Sequence, residues 1–372
     1  MSSPDRSEWL RSTAGVLAVL CLVAQNGYYE PTIASLCRAF RCDEQLWDLC
    51  KDRCGPRGST RLMWSCKVGS VSRVRFLLQR GADVNAVQVH NGEKRSRARY
   101  GMTPLLLASE GGHAEIVGEL LRCGARVDAV TCESPTPHER YWAPGGYTSL
   151  MLACEGGHVD TVTLLLAYNA SVQAVSSAGD TALYLAAKGG HSAVVRLLLA
   201  AGALVDEGEH TALMGAARYG HLGAARELLR GGADVNAVDL SQQECCTSLM
   251  QACRQGSVDM VLELLSCGAS VSAACRHGGS TALTLSCKYG HVGIARVLLA
   301  RGANVNAART DGSTPLQIAC AAGHLEVARL LLRSGASVVT DNSRGGYAAV
   351  LQACALKCIA WCWPLSLDAR PR

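Results

Sequence analysis

Aromatic side chains are scarce in this sequence, at 5% of 372 residues with only two Phe. A core without rings must be thin and closely packed, built from the Leu, Ala, Val and Gly that are abundant instead. No two of the 19 Cys form a C-x-x-C pair, so the knuckle behind most small zinc sites is missing. No apolar run approaches the ~20 residues of a membrane-spanning helix. The run at 14–24, AGVLAVLCLVA, is too short, and Asp5 and Glu8 beside Arg6 and Arg11 dilute the positive start of a signal peptide; it reads as a buried helix. There is no G-x-x-x-x-G-K loop to cradle phosphates. Neither charge sign dominates: 36 Lys and Arg against 31 Asp and Glu leave +5, with a pI near 8.4. Nucleic-acid binders show a larger, clustered excess, so the balance argues against that class and permits an acidic partner.

What the chain has is repetition. At 49% hydrophobic and 18% charged it is globular in composition, yet longer than one ordinary core supports. TPLLLASEGGHAEIVGELLRCGARVDA begins at Thr103, and TSLMLACEGGHVDTVTLLLAYNASVQA begins at Thr148. Equivalent stretches begin at Thr60, Thr181, Thr211, Thr247, Thr281 and Thr314. Each Thr stands where a helix N-cap is wanted, ahead of an apolar turn. A short helix runs to a Gly, and a second carries a V–LLL pattern on a helical period. That second helix ends at Gly-Ala, where Gly supplies the left-handed conformation. Asn169 replaces this Gly once, as the residue that best tolerates the same geometry. One unit alone cannot bury its apolar faces, so neighbours must stack.

The T-x-L-x-x-A pattern, the G-H pair and the GADVNA ending, verbatim at 81–86 and 232–237, resemble the ankyrin-repeat family over about residues 60–340. The resemblance implies an all-α solenoid of about eight helix-turn-helix units with short finger loops and a concave binding face. It also implies a non-catalytic scaffold for protein–protein interaction. The family's His three residues after Thr is absent, replaced by Leu106, Met151, Tyr184, Met214, Met250, Thr284 and Gln317, which predicts softer units. Residues 88–102, 131–147 and 238–246 lengthen three fingers, and 206–210 is shortened.

Candidate chemistry is thin. His113, His158, His191, His221, His291 and His324 share the G-H slot, but stacked units place them roughly 10 Å apart, too far to share one metal ion. They read as turn residues bonding nearby backbone. Cys66, Cys154, Cys253, Cys287 and Cys320 recur at one repeat position after Ala or Ser, a small half-buried slot holding reduced thiols in a cytoplasmic setting, with the nucleus also open. Cys37, Cys42, Cys50 and Cys54 are a poor zinc set, and Cys354, Cys358 and Cys362 share a helix face suited to packing. Neither a cofactor, a metal, a small-molecule substrate nor catalysis is expected.

Three regions follow: 1–58, a helical cap; 59–345, the repeats; and 346–372, a degenerate ninth unit and tail. Residues 34–58 also resemble the later part of an F-box, through Leu36, Cys37, Phe40, Leu46, Trp47 and Leu49. That resemblance implies the alternative function of a substrate-recruiting ubiquitin-ligase adaptor, with a ligase scaffold as a further partner. Binding residues are expected in two places. The position two before the G-H pair reads Lys67, Glu110, Glu155, Lys188, Arg218, Arg254, Lys288 and Ala321. Lys188, Arg218, Arg254 and Lys288 thus form a basic stripe, with Tyr219 and Tyr289 as anchors beside it. Arg95, Arg97, Arg99, Arg140, Tyr141 and Trp142 in the two long fingers are the second place, and Tyr100 and Tyr147 join them as exposed aromatics.

Overall fold

The computed structural model describes residues 59–88, 100–133, 145–208, 210–238, 246–276 and 278–338. The N-terminal cap or F-box-like region, the ninth unit and tail, and most of both long fingers lie outside these described residues. Every described helix belongs to one of eight pairs, and the described residues contain no strand. In chain order the first helices are α1 (Arg61–Val68), α3 (Pro104–Glu110), α5 (Ser149–Gly156), α7 (Ala182–Lys188), α9 (Ala212–Tyr219), α11 (Ser248–Gln255), α13 (Ala282–Tyr289) and α15 (Pro315–Ala321). The second helices are α2 (Val71–Gln79), α4 (Ala114–Arg122), α6 (Val159–Ala167), α8 (Ser192–Ala200), α10 (Leu222–Arg230), α12 (Val258–Ser266), α14 (Val292–Ala300) and α16 (Leu325–Arg333).

The start of each first helix follows from its Thr. In all eight pairs the Thr hydroxyl accepts from the backbone N–H three residues on, as in Thr148 from Met151 and Thr211 from Met214. A cap of this kind stabilises a helix by about 1 kcal/mol. The missing family His has two replacements. Leu106, Met151, Tyr184, Met214 and Met250 turn inward and are buried. Thr284 and Gln317 accept from the N–H of Thr281 and Thr314, at 2.7 and 2.9 Å, completing a reciprocal cap.

The chain forms two compact units, Met1–Ala178 and Gly179–Arg372. In the first, α1, α3 and α5 lie side by side as one layer and α2, α4 and α6 as a second. In the second, α7, α9, α11, α13 and α15 form one layer and α8, α10, α12, α14 and α16 the other. The core lies between the layers: Leu105, Leu120, Leu150 and Leu165 in the first unit, Leu183, Leu198, Leu228 and Leu298 in the second, all at most 2% exposed. Burying one such side chain is worth about 1.5–3 kcal/mol. The recurring Cys slot is deeper than its sequence suggests. Cys66, Cys154, Cys253 and Cys287 have no exposed surface.

The fingers are tied at their bases by single antiparallel bridges: Tyr100 with Cys132, Val130 with Thr148, Val238 with Thr247, and Ala274 with Thr281. Asn169 holds φ 57, alone among the described non-glycine residues in having a positive φ. Among the described residues, no helix is long and apolar enough to cross a membrane.

Candidate protein-interaction surface

The stripe positions fall on the last turns of the first helices. Lys188, Arg218, Arg254 and Lys288 are the basic residues of the final turns of α7, α9, α11 and α13. All four belong to the second unit, on one layer whose neighbouring helices lie ~10 Å apart. Arg218 and Lys288 are exposed, whereas Lys188 and Arg254 are half-buried. Tyr219 and Tyr289 are 45% and 36% exposed. Each ring is stacked on the His two residues later, with centroids 6.4 Å from His221 and 6.3 Å from His291. The two phenols are therefore held flat and rigid. Lys288 Nζ lies 5.6 Å from the Tyr289 ring centroid and Lys188 Nζ 5.9 Å from that of Tyr184, near enough for cation–π attraction.

A helix C-terminus carries partial negative charge, which alone favours a cation there by about 0.3–1 kcal/mol. That effect explains a preference for Lys or Arg but not the lack of acidic partners. Among the described residues, Lys188, Arg218 and Lys288 form no ion pair. Three arginines on the second helices do: Arg226 with Glu263 at 3.0 Å, Arg230 with Glu227 at 2.9 Å and Arg329 with Glu326 at 2.6 Å. In the first unit the stripe position holds Glu110 and Glu155, both exposed and both opposed by the same helix dipole. Its second helices carry a small network in which Arg75 bonds Glu115 and Glu119 at 2.8 Å each, and Arg122 joins Glu119 at 3.1 Å. The Arg75 hydrogen bond holds the Glu119 carboxyl below its usual range.

The G-H histidines support this surface from beneath. Each stands at the N-cap of a second helix without capping it. In His113, His158, His291 and His324 the ring instead reaches back to the preceding unit, so the bonded backbone is not local. Nε2–H donates to the carbonyl of the stripe residue there: His113 to Lys67 at 3.4 Å, His158 to Glu110 at 3.1 Å, His291 to Arg254 at 3.4 Å and His324 to Lys288 at 3.1 Å. A carbonyl only accepts, so these rings carry their proton on Nε2. Among the described residues no cluster of three or more His, Cys, Asp or Glu side chains is arranged to hold a metal ion.

A second tie, at the opposite end of the unit, has no forewarning in the pattern beyond the N of GADVNA. Asn85 Nδ2 donates to the Gly124 carbonyl at 3.1 Å while its Oδ1 accepts from Arg126 N–H at 2.9 Å. Asn236 repeats this on Gly268 and Ser270, at 3.2 and 2.7 Å. Each amide spans two successive units, satisfying a donor and an acceptor that the finger would otherwise leave exposed.

Of the finger residues, Arg95, Arg97, Arg99, Arg140, Tyr141 and Trp142 lie outside the described residues. Tyr147 is not an exposed contact: it is buried, at 6% exposure, because its N–H donates to Thr131 Oγ1 and its backbone closes the finger. Tyr100 is half-buried at the base of the preceding finger.

A family model described as ankyrin repeats (3 copies) matches residues 17–131, 88–176, 133–206, 150–239, 203–275 and 249–342. The chain belongs to the ankyrin-repeat family. Ankyrin arrays typically mediate contacts between proteins, and that coarse function extends to this chain. The crystal structure of the human ASB11 ankyrin repeat domain is similar at a TM-score of 0.55 and 28% identity, covering 63% of this chain and 99% of that one. Rabankyrin-5 from Mus musculus is 38% identical over 100 residues, 26% of this chain but only 8% of rabankyrin-5.

Proposed function

We propose that this ankyrin array binds an extended acidic segment of a partner protein along the first helices of its second unit. Lys188, Arg218, Arg254 and Lys288 meet the carboxylates, and Tyr219 and Tyr289 supply flat anchors between them. The observation that carries this reading is that Lys188, Arg218 and Lys288 on that layer form no ion pair among the described residues, beside second-helix arginines that do. Four cations at ~10 Å intervals cover ~30 Å, which a strand of about ten residues matches at ~3.3 Å per residue. The finger residues Arg95, Arg97, Arg99, Arg140, Tyr141 and Trp142 supply further contacts of the Arg and aromatic kind that dominate interface energies.

The test is fluorescence anisotropy with a labelled twelve-residue Asp/Glu-rich peptide on the full chain. Reversing Arg218→Glu and Arg254→Glu together raises Kd at least tenfold, while the far-ultraviolet circular dichroism of the array stays unchanged. Kd also rises with salt, since Arg218 and Lys288 are exposed. Equal affinity of the double variant and the parent protein overturns the reading.

A further inference from the structure

Cys246 and Cys275 bring two thiols together from consecutive fingers. Cys246 closes one finger just before the N-cap Thr247, and Cys275 opens the next. Their Sγ atoms are 3.0 Å apart, inside the ordinary contact distance of two sulfurs, and Cys275 Sγ also lies 3.3 Å from Met250 Sδ. Both residues are buried, at 7% and 5% exposure, and neither is in a disulfide. The register positions that correspond in other described fingers hold Met102 with Thr131, Tyr147 with Ser176, and Ser280 with Arg309. A thiol at both positions is thus particular to this junction and not a product of the repeat. It is also distinct from the recurring Cys slot of the first helices, whose thiols are buried one to each unit.

We propose that Cys246 and Cys275 form a redox-sensitive modification site, closing to a disulfide that staples two consecutive repeats when the protein meets a peroxide. A disulfide bond is ~2.05 Å long, so the sulfurs need to approach by only about 1 Å. In the first step one thiolate attacks a peroxide oxygen. An S–O bond forms, the O–O bond breaks, and water leaves with the proton the thiol gave up; the product is a sulfenic acid. The second thiolate then attacks that sulfur, the S–S bond forms, and hydroxide leaves to become the second water. The two thiols lose two electrons and two protons, which the peroxide accepts. Exchange with a dithiol reductant reverses the bond. The staple lies at the finger bases beside α11 and α13, the helices carrying Arg254 and Lys288, so it rigidifies part of the candidate interaction surface. It does not depend on the acidic-segment reading.

The experiment treats the full-length reduced chain with stoichiometric hydrogen peroxide and maps its peptides without reduction. The expected product is a Cys246–Cys275 cross-linked peptide as the main disulfide, lighter by two hydrogens. Cys253 and Cys287 remain alkylatable after unfolding. The Cys275 and Gly279 amides, which donate to Ser280 and Cys275 carbonyls, exchange with deuterium at least tenfold more slowly after oxidation, and dithiothreitol restores the original rate. Cys246→Ala abolishes both the cross-link and the slowing. The idea is overturned if oxidation falls on the exposed Cys123, Cys132 and Cys267 while the Cys246 and Cys275 thiols survive, or if Cys245 and not Cys246 is the linked residue. The unmutated chain alone decides this, so a variant that fails to fold does not blunt the test.

Discussion

Cys66, Cys154, Cys253 and Cys287 sit with no exposed surface on the inner side of the first helices, whereas Cys123, Cys132 and Cys267 face solvent. Burial disfavours the thiolate, and it lifts the Cys66 and Cys287 thiols from 9.0 to about 12, and those of Cys154 and Cys253 higher still. Iodoacetamide at pH 8 therefore labels Cys123, Cys132 and Cys267 in the folded chain and spares the buried four. Labelling of those four at a comparable rate would show that the slot is open. The same shift makes stability fall with alkali. In the unfolded chain these thiols lose their protons near 9, but in the folded chain they keep them, so folding must hold a proton that unfolding releases. Their stabilising contribution is complete below pH 9 and is lost as pH rises toward about 12. In chemical unfolding, Cys287→Ala flattens that alkaline decline relative to the parent.

Between single residues and the whole array stands the junction of one unit with the next, where a Gly and a His fit together. Gly290 has φ 78, and a Cβ built there meets the His324 Nδ1 at 2.6 Å. Gly290→Ala therefore suffers twice, from a left-handed backbone and from displacement of a ring that bonds the Lys288 carbonyl. The expected loss is roughly 1–3 kcal/mol, read as a lower urea midpoint; a loss under half of that contradicts the fit. Much of this was open to the sequence. Thr before an apolar turn, Gly-His between helices and Gly-Ala after them mark most helix starts and stops, and the Asn169 exchange is legible because only αL geometry makes Gly and Asn equivalent. The reach of the His was not legible. Its partner is a carbonyl 36 to 48 residues away, a contact made only by stacking. Tyr147 misled for a related reason: its composition fits an exposed finger, but its backbone closes the finger base and buries the ring. The stripe register was readable because it is periodic; the pairing of Arg226 with Glu263, which sets it apart from Lys188, Arg218 and Lys288, forms only when successive second helices stack.

At the scale of the whole molecule, stability in a repeat array is a sum over units and nearest-neighbour contacts, so one weak junction limits how far cooperative folding spreads. Such a junction lies inside the second unit. Ser257 replaces His ahead of α12, and the place above Gly220 that a ring would fill has only Gln255 Cγ near it, at 3.8 Å from a built Cβ. The backbone bond from Ser257 N–H to the Ala252 carbonyl is 3.3 Å, against 2.9–3.0 Å at His191, His221, His291 and His324. Among the described residues, the Arg218 carbonyl has no side-chain tie like those made by His113, His158, His291 and His324. This is also where the stripe passes from Arg218 to Arg254, so the candidate surface crosses this seam. Ser257→His restores the ring, its bond to the preceding carbonyl and its packing on Gly220. One such hydrogen bond contributes about 0.5–1.5 kcal/mol. The variant should raise the urea midpoint and slow hydrogen exchange in both α9 and α11, because the gain is shared across the junction. Slowing confined to α12 would mean that the ring caps its own helix and leaves the seam as it was.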